Sequence, residues 1–108
     1  MEAIAIQVTF TCGSREEAEN LARELLDRRL AACIHVSSPV VSFYRWDGAV
    51  QKDTEWLCTA KTTQERFGAI EKVILQNHSY ENPEILAMPI VEGSTAYVKW
   101  LMEEVDSV

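Results

Sequence analysis

The sequence predicts an α+β domain built on one antiparallel sheet, and three observations lead to that class. Ile4, Ile6, Val8 and Phe10 alternate with Ala5, Gln7, Thr9 and Thr11, the period of two of a half-buried strand. Two stretches, behind Ser14 and behind Thr62, repeat apolar residues at helical spacing after a Ser/Thr-x-x-Glu capping box. Between them lie two runs rich in β-branched and aromatic residues, parted by the turn pair Asp47-Gly48. At 108 residues the chain can bury one core and not two, so a single domain over residues 1–108 is expected.

The elements follow in order. Strand one is the alternating segment from Ile4 to Phe10. Ser14 with Glu17 then opens helix one, where Ala18, Leu21, Ala22, Leu25, Leu26 and Leu30 share a face from Arg15 to Leu30. Ala32 to Trp46 reads as a strand with a bend at Ser37-Ser38-Pro39. Thr54 to Thr62 is its hairpin partner, with Gln51-Lys52-Asp53 near the tip. Thr62 with Glu65 forms the second capping box, and Phe67, Ile70, Val73 and Ile74 define a helix ending near His78. Tyr80 to Pro83 is loop chemistry. Ile85 to Val91 is a fourth strand, and its Pro89, which has no N–H to give, belongs at an edge or a bulge. Gly93 and Ser94 precede a terminal helix carrying Tyr97, Trp100, Leu101 and Val105.

This order, β-α-β-β-α-β plus a helix, is that of the ferredoxin-like arrangement, in which two helices cover one face of a four-stranded sheet. The hairpin then presents a problem. Phe43 and Tyr44 are neighbours of opposite parity, and Trp46, Trp56 and Leu57 follow, so bulky groups point to both faces. An apolar surface of that kind marks an interface, and the simplest partner is a second copy of the chain. A terminal helix folded back over the second face, with Trp100 and Leu101 covering it, is the alternative.

Composition excludes several classes. With 17 acidic against 10 basic residues the net charge is −7, which repels a phosphate backbone, so nucleic acid is not an expected partner. Arg28 and Arg29 form the nearest thing to a basic cluster, and they stand at a helix end that favours cations anyway. No segment is apolar and long enough to span a membrane. The start has no basic region before an apolar run, and Glu2 is acidic. Together with three cysteines, an odd number, this predicts a cytoplasmic protein with reduced thiols.

Candidate chemistry is sparse. No nucleophile sits in a recognisable turn beside a base, and no enzyme is expected. Cys33 and His78 are the pair worth naming as metal ligands: a thiolate with an imidazole suits copper or zinc, and Met88 would add a soft thioether for Cu(I). No C-x-x-C or H-x-x-x-H occurs, so such a set must converge in space or across subunits. A buried inert Cys33 and a helix-capping His78 are the competing readings. Glu81 and Glu84 could add oxygen ligands from the same loop, or be solvated. Cys12-Gly13-Ser14, at a helix start, offers at most an anion site helped by Lys61 or Arg45 of another subunit.

Four segments together resemble the CutA family of divalent-cation tolerance proteins. They are Leu30-Ala31-Ala32-Cys33; Ser42-Phe43-Tyr44-Arg45-Trp46-Asp47-Gly48; Lys61-Thr62-Thr63 after Glu55; and His78-Ser79-Tyr80-Glu81-Asn82-Pro83-Glu84-Ile85-Leu86 leading to Pro89 and Tyr97-Val98-Lys99-Trp100-Leu101. The resemblance spans nearly the whole chain. It implies a stable homotrimer built by pairing hairpin strands between subunits, a link to copper and other divalent cations with no required cofactor, and an architecture like that of the trimeric PII signalling proteins. It also implies a metal role for Cys33 and for His78, the latter at the head of the family's His-Pro-Tyr motif. Here Ser79 replaces that proline, so φ is no longer fixed there. A PII-like scaffold that binds a small molecule or partner at inter-subunit clefts is the alternative function.

Overall fold

The computed structural model describes residues 3–106; Met1, Glu2, Ser107 and Val108, the ends of the expected domain, lie outside the described residues. The elements run β1 (Ala5–Cys12), α1 (Arg15–Asp27), β2 (Cys33–Trp46), β3 (Ala49–Thr63), a short 3₁₀ turn (Gln64–Arg66), α2 (Phe67–Asn77), β4 (Ile85–Pro89) and α3 (Thr95–Asp106). One antiparallel sheet has the order β2-β3-β1-β4, the ferredoxin-like pattern expected. Pro89 pairs with Ile6 on the edge strand β4, where its missing N–H costs no ladder bond.

Parity divides the sheet. Ile6, Val8, Phe10 and Cys12 of β1 and Cys58 and Ala60 of β3 point toward α1 and α2, where they bury with Leu21, Leu25, Ile70 and Ile74. Alternate residues point to the opposite face. There α3 covers one end, Leu101 and Val105 packing on Ala5. Beyond that end the hairpin stays uncovered, with Phe43 67%, Val50 62% and Trp46 51% exposed. The terminal helix thus shields part of the second face and leaves the hairpin bare.

Four local expectations shift. Helix α1 stops at Asp27 and not at Leu30 because Arg29 turns to φ 56 and the chain closes a Schellman motif: Leu30 N–H donates to Leu25 C=O and Arg29 N–H to Leu26 C=O. Strand β3 begins at Ala49, five residues before the expected start. Asp47 and Gly48, at φ 53 and 77, make a two-residue hairpin turn that needs positive φ at both positions, so pairing resumes at once and Gln51 to Asp53 lie within the strand. The second capping box does not form. Thr62 instead turns inward, and its Oγ1 donates to Leu30 C=O at 2.6 Å. Strand β4 ends at Pro89, two residues before the expected Val91.

The bend at Ser37-Ser38-Pro39 is a register shift between Val36 and Pro39. Ser37 Oγ accepts from Leu57 N–H at 2.9 Å, so a side chain fills the place of the lost ladder bond.

Candidate metal centre

The topology brings the end of β1, the start of α1 and the end of α2 to one end of the sheet. Strand β1 finishes at Cys12, whose parity matches Phe10 and points its thiol to the helix side. Ser14 caps α1 by accepting from Glu17 N–H at 3.1 Å. Only half of the capping box closes, because the Glu17 carboxylate reaches across to the loop after α2, where Oε2 accepts from Ser79 N–H at 2.9 Å. A proline at that position could not make this bond. The departure from the His-Pro-Tyr pattern therefore anchors Glu17.

The His78 side chain is fully buried. Its Nε2 lies 2.7 Å from Thr11 C=O, and its Nδ1 lies 3.0 Å from Tyr80 N–H. A backbone N–H can only donate and a carbonyl can only accept, so these partners assign the proton to Nε2 and the lone pair to Nδ1. A histidine that gives its far N–H to a backbone carbonyl is oriented as metal-binding histidines are. Nδ1 faces Glu17 Oε1 at 3.9 Å, and that buried oxygen has no hydrogen-bond partner among the described residues. Oε1 thus faces an imidazole nitrogen with no proton to give it, one whose lone pair accepts the Tyr80 N–H.

Cys12 completes the group: its Sγ, one Glu17 oxygen and one His78 nitrogen lie within 4.8 Å of one another. The neighbouring Cys58 thiol, burial and the Glu17 charge all push the Cys12 thiol up from its ordinary range. A bound divalent cation would reverse that balance, since it favours the thiolate and offsets the Glu17 charge. Sulfur, nitrogen and oxygen together suit a borderline ion such as Zn(II), or copper, better than a hard ion such as Mg(II). The residues present fit such a metal.

Cys33 stands elsewhere. It lies on the face opposite α1 and α2, its Sγ 4.0 Å from His35 Nε2. Cys33 pairs with Lys61 and Lys61 with Gln7, so its row crosses β1 four residues before Thr11. That is about 13 Å along the strand and about 10 Å across the sheet from the His78 contact. Within one chain the expected ligands Cys33 and His78 do not meet. Met88 closes the same row as Cys33 on the far strand β4, out of reach of both. Glu81 and Glu84 are exposed on the loop.

Beside this cluster a cleft of about 440 Å³ opens between the hairpin and the loop, lined by Gly13, Tyr44, Trp46, Asp53 and Tyr80 among others. Tyr44 Oη donates to Asp53 Oδ2, which raises its phenol pKa. Burial, and then the neighbouring Glu55 carboxylate, raises that of Tyr80.

Sequence reasoning passed over Glu17 and Cys12 as ligands. Glu17 was absorbed by the capping box, which accounts for its position but not for its carboxylate. The parity of Cys12, taken with the end-to-end meeting of β1 and α2 that this topology enforces, is the signal that points to it.

A family model described as CutA1 divalent ion tolerance protein matches residues 6–104. The divalent-cation tolerance protein CutA of Thermus thermophilus is 41% identical over 96 residues, 89% of this chain and 93% of that protein. A solved structure of a divalent cation tolerance protein from Thermus thermophilus superposes with a TM-score of 0.92 at 39% identity, covering 94% of this chain and 98% of that one. The structure of a periplasmic divalent cation tolerance protein CutA from Archaeoglobus fulgidus gives 0.92 at 35% identity over 94% and 99%. Among the described residues no helix is long and apolar enough to cross a membrane.

Proposed function

Because the chain belongs to the CutA1 divalent ion tolerance protein family, we propose that it is a non-catalytic homotrimer that binds divalent or copper ions in the reducing cytoplasm. The observation that carries the metal reading is the convergence of Cys12, Glu17 and His78, with an orphaned carboxylate oxygen facing the unprotonated nitrogen of an oriented imidazole. His78 Nδ1, Glu17 Oε1 and Cys12 Sγ are the ligands. The trimer is supported by the hairpin, whose apolar side chains stay exposed in the single chain.

Calorimetric titration of Zn(II) and of copper into the reduced protein tests this. One ion per chain is expected, with affinity at least about ten-fold lower in His78→Ala and in Cys12→Ser, and unchanged in Cys33→Ser. Loss confined to Cys33→Ser, or no binding by the unaltered protein, would refute the site.

A PII-like role is favoured by one separate observation, the cleft between Tyr44 and Tyr80 beside the hairpin. On that reading the trimer presents the cleft to a small molecule or protein partner. The two readings are compatible, since fold alone does not choose between them.

A further inference from the structure

Tyr80 touches both the metal cluster and the cleft. Its N–H occupies the His78 Nδ1 lone pair at 3.0 Å, and its ring packs against the imidazole with centroids 4.7 Å apart. Its phenol reaches the other way: a methyl group placed on Gly13 would stand 3.1 Å from Tyr80 Oη, so the phenol lies close against the β1–α1 turn as it lines the cleft. Nε2 carries the proton given to Thr11, so Nδ1 is the one nitrogen of His78 that can take a metal. An imidazole nitrogen has one lone pair. It cannot hold the Tyr80 N–H and a metal ion at once.

Resting on the metal reading above, we propose that metal occupancy regulates the cleft: a cation on His78 Nδ1 displaces the Tyr80 N–H, frees the loop and resets the Tyr80 phenol between the hairpin and Gly13. The metal-free form is the latched form. Glu17 stays in place during the exchange, because Ser79 N–H holds its second oxygen independently of the metal. Linkage makes the effect reciprocal, so whatever holds the Tyr80 phenol in the cleft lowers the affinity for the ion by the same factor.

Hydrogen exchange at the Tyr80 amide tests the relay, followed by NMR on reduced protein labelled with ¹⁵N-tyrosine, with and without saturating Zn(II). Exchange at Tyr80 should accelerate at least about ten-fold on metal binding, while Tyr97, beside Cys33 and Trp100, keeps its rate. In Glu17→Gln, which keeps the side-chain shape, the Zn(II) concentration giving half the Tyr80 response should rise together with the dissociation constant. Zn(II) bound at one ion per chain with unchanged Tyr80 exchange would overturn the relay and leave the metal centre standing. Failure of Zn(II) to bind would remove both.

Discussion

Glu17 divides one carboxylate between two neighbours. Oε2 holds the Ser79 N–H, and Oε1 is buried beside His78 without a donor. An uncompensated buried oxygen is costly in the metal-free protein, and an amide in its place removes the charge while retaining an oxygen for Ser79. Glu17→Gln should therefore raise metal-free stability by about 1 kcal/mol in urea denaturation even as it weakens metal binding. A loss of stability would mean that the carboxylate is favourably paired. Of the site, His78 was legible from the sequence as a ligand type; Cys33, singled out by the same reasoning, lies on the opposite face of the sheet. What could not be read was which of three cysteines shares a face and an end of the sheet with His78. That follows from the parity of Cys12 and from Ser79, whose N–H redirects a side chain that local rules assign to its own helix.

The elements show the same division between local and tertiary control. Asp47-Gly48 was readable as a turn, and the bend at Ser37-Ser38-Pro39 as an interruption, because both rest on short-range chemistry. The length of β3 and the end of α1 were not. Arg29 adopts a left-handed conformation that usually belongs to glycine, and it is held there from afar: Nε donates to Glu104 C=O at 3.1 Å. Arg66 Nε likewise donates to Val105 C=O at 3.0 Å, so two cations from separate elements meet the C-terminal carbonyls of α3. At the bulge, Ser37→Ala removes the acceptor of Leu57 N–H. The expected cost is about 1 kcal/mol, with faster hydrogen exchange at the Leu57 amide and little change elsewhere. Unaltered Leu57 exchange would show that another acceptor takes over.

The single chain is elongated, 44 by 25 by 24 Å, because the β2–β3 hairpin projects beyond the core. Its tip carries Phe43, Trp46 and Val50 into solvent, an apolar surface of the kind that marks interfaces and the one on which the proposed trimer rests. The sheet order and the layer of two helices on one face were legible from the order of the elements, and the two-sided apolar pattern of the hairpin was legible as an exposed surface. How far α3 reaches over the second face was not, since that depends on Leu101 and Val105 finding Ala5 at one edge. The proposed ligands Cys12, Glu17 and His78, by contrast, all lie within one chain, so on that proposal each copy loads independently of its neighbours. Native mass spectrometry of the reduced protein saturated with Zn(II) measures assembly and loading together: the expected species holds three chains of 12.2 kDa and three ions, whereas a monomer, or one ion shared among three chains, would contradict it.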